Sequence, residues 1–476
     1  MAEGIIKGTI WSAIQRFGSL AIGFISNIVL ARLLCPEDFG AMAMVMVFVG
    51  IADTIVDGGL GNALIQKKDI EDIDIRTVFS SNLVFSIFLF ALFFLIAPLI
   101  EEYTSINNLA IYIRVEAFQL IIRALYVIPF SLMQKQFEFA KLARINIIAS
   151  FLSVATAISL AMFGYGIWSL ILKNLSLDLY LLILYAIFGP MNYKIGFSWT
   201  SFKKLFSFGF FVVLANLFET LYSNLVSFFV GKKYAAKELG YYNQAYALQQ
   251  IPTYSITAVL NQVLFPYFSS LQESKENLES KLRLSIQMMT FFVCPLLLFL
   301  ICFAEQIIII LYSSKWLPCV PYFQLLCIGG LLNAMIHINR SYIKAAGLTK
   351  AIFLIQVTST IIGLILLYVG LCHSMILGIS ALAINSVILY IMTASISGKE
   401  SKYSIFRQIF DVSPNMVFSI ISAFISIIIS KILFTNIYMF IIIEFIAFFG
   451  LYLLLHYIFK TKISQTILQI ILIKRK

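Results

Sequence analysis

The chain has 476 residues, of which 61% are apolar and only 12% charged, with a formal net charge of +11. Soluble domains carry roughly a quarter of charged residues, so this composition excludes an ordinary water-soluble globule and makes the bilayer the expected solvent. The basic surplus does not point to nucleic acid, because Lys and Arg lie in connections between apolar stretches and form no dense run interleaved with aromatics.

A helix needs about 20 apolar residues to cross the hydrocarbon core. In chain order the sequence predicts about fourteen such spans: 8–31, 38–64, 77–100, 108–133, 145–163, 166–189, 205–230, 239–267, 284–304, 319–343, 351–370, 374–396, 413–434 and 437–459. The first follows only Lys7, exceeds the length of a signal-peptide core and precedes no small-x-small cleavage site, so it is expected to be retained. Counted alternately, the connections on the N-terminal side hold 23 of the 34 basic residues, and those on the other side hold six. The poor side contains Arg32, Lys232, Lys233, Lys237, Lys315 and Lys431. This parity is the positive-inside pattern and predicts that both termini are cytoplasmic.

No connection on the outer side exceeds roughly a dozen residues, and the longest inner ones, 191–204, 268–283 and 397–412, are too short for nucleotide-binding domains. Transport by such a chain has to be driven by an ion gradient or by downstream consumption. Six Cys (Cys35, Cys294, Cys302, Cys319, Cys327, Cys372) form no C-x-x-C pair, and His337, His373 and His456 are far apart. Neither zinc nor structural disulfides are expected. There is no nucleophile elbow, Walker loop or dinucleotide fingerprint, so neither an enzyme nor a cofactor is expected.

An internal repeat runs at an offset of 200 residues, where "ARLLCPEDFGAM" (31–42) overlays "GKKYAAKELGYY" (231–242) and Phe39-Gly40 falls on Leu239-Gly240. Polar residues of the flanking spans overlay too. Arg16, Ser19, Gly23 and Asn27 match Asn216, Glu219, Ser223 and Ser227, and Gly50, Asp53, Thr54, Asp57 and Gly61 match Gln250, Thr253, Tyr254, Thr257 and Asn261. Steps of three and four put each set on one helix face. Six spans separate the copies, an even number, so the repeats enter the membrane in the same orientation. The expected fold is an all-α polytopic protein with two parallel six-helix lobes, 1–200 and 201–396, around a central cleft. Residues 397–476 add two further spans and a tail that reads as an amphipathic helix.

An ionised side chain at a helix centre costs on the order of 3 kcal/mol, which makes each intramembrane charge a functional candidate. Arg16 in span 1 and Asp57 in span 2 lie at similar depth, as a gated cation for an anionic substrate or as a structural pair. Asp53 has no obvious partner in sequence and is a candidate for binding H⁺ or Na⁺, with helix–helix hydrogen bonding as the other reading. Tyr112, Glu116, Gln119 and Arg123 share a face of span 4, where opposite signs can neutralise each other, while Arg114 can snorkel. In span 6, Lys173 and Asp178 point to different faces, and Lys173 is placed to snorkel. Glu219 is the prime candidate for a titratable coupling group, and Asn333, His337, Arg340 and Lys344 line one face of span 10. Glu305 and Glu444 are read as structural. The inventory leans cationic, and Arg forks suit phosphate. The predicted cleft ligands are Arg16, Asn27, Arg123, Asn216, Gln250, Asn261 and Arg340, and the predicted coupling residues are Asp53, Asp57 and Glu219.

The motifs "LLCPEDFGAMAM", "GLGNALIQKKDIE", "KQFEFAKLARINIIAS", "GYGIWSL", "ELGYYNQAYALQQIP", "VLFPYFSSLQ" and "SSKWLPCVPYFQLLCIGGLL", in that order, resemble the Wzx-type polysaccharide exporters of the multidrug/oligosaccharidyl-lipid/polysaccharide exporter superfamily. The resemblance covers about residues 5–400. It implies a fourteen-helix flippase of the bacterial inner membrane. Such a protein moves undecaprenyl-pyrophosphate-linked oligosaccharide to the outer leaflet by alternating access, for lipopolysaccharide or other surface glycan. H⁺ or Na⁺ coupling in an antiporter-like cycle, and a polysaccharide polymerase and chain-length regulator as partners, are implied in the same way. The rival readings are a MATE-like drug exporter, for which a cationic cleft is ill-suited, and a membrane glycan polymerase or ligase, for which the outer loops are too short.

Overall fold

The structure, a computed structural model, describes residues 2–58, 60–67, 69–190, 194–269, 278–433, 437–461 and 463–465. Among them every regular element is helical. Two compact units divide the chain at Met1–Asn243 and Gln244–Lys476.

The first unit contains α1 (Ala2–Leu33), α2 (Pro36–Gly58), α3 (Leu60–Gln66), α4 (Asp72–Thr104), α5 (Leu109–Glu116), α6 (Phe118–Lys135), α7 (Phe139–Met162), α8 (Trp168–Phe188), α9 (Trp199–Lys233) and the first turns of α10 (Ala236–Ser269). The second holds the rest of α10 with α11 (Leu278–Cys302), α12 (Ala304–Tyr312), α13 (Val320–Ala345), α14 (Thr349–His373), α15 (Met375–Ser401), α16 (Ile405–Leu433) and α17 (Ile437–Ile458).

Twelve helical segments among the described residues are long and apolar enough to cross a membrane, and they match the first six and last six predicted spans. The remaining two predicted spans, 205–230 and 239–267, fall on α9 and α10, where many side chains lie outside the described residues. The protein is a multi-pass helical membrane protein. Span 2, predicted over 38–64, corresponds to α2 and α3, with residue 59 between them outside the described residues.

Side-chain exposure shows what the helices were built to face. Along α4, Val84, Phe88, Leu95 and Leu99 are 62–74% exposed and fall on one helix face, which only lipid can cover. The opposite kind of face appears on α7, where Ala149, Ser153, Ala157 and Ala161 repeat every four residues and are all buried. Small residues at that spacing let neighbouring backbones approach in a membrane, and α7 packs along both α1 and α8.

Ends are set by capping. Helix α4 starts with a reciprocal capping box between Glu71 and Asp74 and stops at Ser105 in the left-handed conformation. Ser374 accepts a hydrogen bond from the Leu377 amide to open α15.

The elbow between α1 and α2 meets the elbow between α9 and α10, inside the first unit, at the end of the bundle opposite the N-terminus. A Cβ on Gly40 would lie 1.6 Å from the Ala236 carbonyl oxygen, and one on Gly240 would lie 2.0 Å from that of Pro36. Beside them Lys237 Nζ stands 3.4 Å from Glu37 Oε1. The approach of Gly40 to Ala236 is matched by that of Gly240 to Pro36, and each of these residues, like Glu37 and Lys237, has its counterpart 200 residues away, so the two elbows meet reciprocally.

In the second unit, α16 is bound to α11 by polar contacts. Arg283 Nη2 reaches Asp411 Oδ1 at 2.5 Å, and Asn415 donates to Thr290 Oγ1 at 2.9 Å. Asn339 of α13, Ser397 of α15 and Gln408 of α16 form a further buried chain, with bonds of 2.7 and 3.1 Å. The two C-terminal spans are thus packed into the second unit.

Candidate functional site

Four helices of the first unit bring charged residues to one buried place. Asp53 comes from α2. Glu116 ends α5, and Gln119, Arg123 and Tyr126 follow at steps of three and four along α6, which keeps them on one face. Asn174 and Asp178 are one turn apart on α8, on a face shared by the step of four. Glu116 and Gln119 have no exposed surface, Asp178 is 1% exposed and Asp53 8%.

Arg123 organises the cluster. Its Nη1 lies 3.1 Å from Asp53 Oδ2, while its Nε reaches Asp178 Oδ1 at 3.2 Å and Oδ2 at 3.1 Å. Gln119 Nε2 donates to Asp53 Oδ2 at 3.3 Å, and the Tyr126 hydroxyl donates to Asp178 Oδ1 at 2.7 Å. Tyr126 is itself held by stacking on Tyr185, with ring centroids 5.6 Å apart. Asn174 Nδ2 donates to Glu116 Oε1 at 2.7 Å. A guanidinium presents a planar fork of donors, so one Arg bonds two carboxylates on different helices in a fixed geometry. Two of the cluster's three carboxyl groups, those of Asp53 and Asp178, are bonded to this one guanidinium.

The structure gives two of these residues partners that the sequence did not show. Asp53, expected to lack an evident partner, is ion-paired with Arg123. Arg123, expected as a substrate ligand, has its guanidinium engaged by Asp53 and Asp178. Asn174 and Tyr126 were missed from sequence. Asp178 was noted but read against Lys173, which obscured its four-residue step from Asn174.

Other candidates are placed singly. Arg16 and Asn27 are half-buried on α1, eleven residues and so about 16 Å apart along the axis. Arg114 donates to the Phe94 carbonyl at 3.0 Å and stacks over its ring. In the second unit, Arg340 donates to Gln356 and Gln250 donates to the Tyr246 hydroxyl. The side chains of Asp57, Asn216, Glu219 and Asn261 lie outside the described residues. Where the stripes of the repeat can be followed, spans 2 and 7 meet: Thr54 Oγ1 is 3.1 Å from Thr220 Oγ1. Next to the elbows, a cavity of about 740 Å³ is lined by Glu37, Asp38, Tyr103, Asn107, Lys232 and Lys237, among others.

Residues 29–321 match the model of a family described as polysaccharide biosynthesis protein. The chain belongs to this family. It is the family of Wzx-type polysaccharide flippases that the motifs resemble. The lipopolysaccharide biosynthesis protein WzxC of Escherichia coli (strain K12) is 28% identical over 342 residues, 70% of this chain and 68% of the relative. The succinoglycan biosynthesis transport protein ExoT of Rhizobium meliloti (strain 1021) is 26% identical over 356 residues, 74% of this chain and 71% of the relative. Among solved structures, the lipid II flippase MurJ in an inward closed conformation superposes with a TM-score of 0.75 at 18% identity, covering 95% of this chain and 98% of its own. An inward-facing MATE multidrug transporter reaches 0.61 at 14% identity, covering 83% and 99%. These likenesses fix the fold as the one shared by both kinds of exporter.

Proposed function

We propose that the chain is a flippase that carries an undecaprenyl-pyrophosphate-linked oligosaccharide across the bacterial cytoplasmic membrane, from the inner to the outer leaflet, during synthesis of a surface polysaccharide. The observation that carries this reading is the family match over 29–321, with relatives named for lipopolysaccharide and succinoglycan biosynthesis. The positive-inside pattern supports cytoplasmic termini.

In this reading the pyrophosphate meets Arg16 and Arg340, and the sugar hydroxyls meet Asn27 and Gln250, with Asn216 and Asn261 completing the repeated stripes. Arg123 serves as the counter-charge of the carboxylate cluster. The two repeats act as lobes that alternate the access of a cleft, Asp53, Asp57 and Glu219 take part in H⁺ or Na⁺ coupling, and a polymerase and chain-length regulator receive the product.

The test is transfer of a fluorescent undecaprenyl-pyrophosphate oligosaccharide between leaflets of reconstituted liposomes. Wild-type protein is expected to transfer it and Arg16→Ala to lose most of that transfer. Robust efflux of an organic cation without lipid transfer would replace this reading with a drug exporter.

A further inference from the structure

Glu116 is the one carboxyl of the buried cluster that Arg123 does not contact through any bond described above. Its Oε1 accepts from Asn174, and its Oε2 is fully buried with no hydrogen-bond partner among the described residues. Three residues on, the carbonyl oxygen of Gln119, Oε1, is likewise buried without a donor. Two acceptors without donors in one buried stripe are costly, because an unsatisfied buried polar atom forfeits its hydration. One proton resolves the Glu116 half of this shortage, since a carboxylic acid turns an acceptor oxygen into a donor.

The charge around Glu116 argues in the same direction. The charged neighbours in its field are Asp53 from α2, Asp178 from α8 and Arg123 from α6. Lys173, also on α8, sits beside Asn174 in the chain and is half-buried. From α4, the charged residue at α5 is Glu101, which accepts from the amides of Asn108 and Ala110 at the start of that helix, two turns away from Glu116. With Asp53 and Asp178 ionised against one guanidinium, the cluster is already at negative charge before Glu116 contributes any. Like charges sharing a buried site favour protonation of one of them. A metal cation is a poor substitute for the proton, because among the described residues no three acidic, His or Cys side chains converge as a metal site, and a guanidinium occupies the middle of the cluster.

We infer that Glu116 is a proton-binding site within the first unit, loaded as a carboxylic acid and emptied by loss of its Oε2 proton to water. Use of that proton to drive transport rests on the flippase reading; the site itself does not.

Two measurements separate these. In purified protein, the infrared C=O stretch of protonated carboxyl groups is followed as pH is raised. A band that titrates in wild type, vanishes in Glu116→Gln and survives in Glu102→Gln, an exposed control, is the expected result. Asn174→Ala removes the donor to the ionised form, so the band is expected to persist to higher pH. A wild-type spectrum with no titrating band, or one that Glu116→Gln leaves unchanged, overturns the inference. In liposomes, transfer of the fluorescent lipid-linked oligosaccharide by Glu116→Gln is expected to lose its response to an imposed pH gradient. A band assigned to Glu116 in a protein that transfers no lipid-linked oligosaccharide would refute the flippase reading and leave the proton site standing.

Discussion

Arg123 on α6 and Asp53 on α2 form an ion pair of 3.1 Å, although the two residues are far apart in sequence and neither helix connects directly to the other. The same guanidinium holds Asp178 on α8. Removing one partner of a buried ion pair leaves an uncompensated charge and costs about 3–5 kcal/mol. Arg123→Gln is therefore expected to lower the thermal midpoint of detergent-solubilised protein sharply, and Arg123→Lys to lower it less. Adding Asp178→Asn to Arg123→Gln should recover part of the loss. Equal midpoints for wild type and Arg123→Gln would show that the cluster is not held by this residue.

The elbow contact separates sterics from charge. Alanine at 40 or 240 places a methyl group inside contact distance of a backbone carbonyl that has no rotamer with which to yield. Gly40→Ala and Gly240→Ala are each expected to reduce the yield of folded protein. The adjacent pair Glu37–Lys237 is about half-exposed on both sides, and exposed pairs contribute little to stability. The exchange Glu37→Lys with Lys237→Glu should leave the thermal midpoint close to that of wild type. Comparative thermal melts of the three variants decide this.

The Tyr403 hydroxyl sits in the connection between α15 and α16, is almost fully buried and donates to Asp411 Oδ2 at 2.7 Å. Burial first, then that hydrogen bond, hold its ionisation above the ordinary value of 10.0. A group whose value is raised on folding contributes stability that is complete below its unfolded value and is lost as pH rises through the folded one. The thermal midpoint of wild type is expected to decline as pH is taken above 10.0. Tyr403→Phe should start lower at neutral pH, since it loses a buried hydrogen bond, and show a flatter decline. Parallel slopes for the two proteins would count against this account.

Glu444 of α17 is 1% exposed, and both of its carboxyl oxygens are buried without a hydrogen-bond partner among the described residues. Its helix neighbours include Phe445 and Phe448. A polar group in this position costs about 1–3 kcal/mol. Glu444→Leu is expected to raise the thermal midpoint while lipid-linked oligosaccharide transfer stays at the wild-type rate. A lowered midpoint would mean that the carboxyl has a stabilising partner after all.

The sequence carried the spans well because hydropathy is a local quantity, and twelve of the fourteen predicted segments reappear as apolar helices among the described residues. The stripe Glu116, Gln119, Arg123 was also legible, since a helix fixes which residues share a face. What a stripe cannot state is the identity of the helix it faces. Pairing of Arg123 with Asp53 and Asp178 depends on how α2, α6 and α8 pack, and Asp53 accordingly read as unpartnered.

Residues 40 and 240 behave as one locus written twice. Each glycine is required by the backbone of the other repeat, so a side chain gained at either position is felt at both elbows, and neither elbow can draw away from its twin while keeping half of the contact. Elsewhere the two copies have been free to diverge, as Arg16 and Asn216 or Asp53 and Thr253 show. At this seam the two elbows are tied to each other by backbone contact.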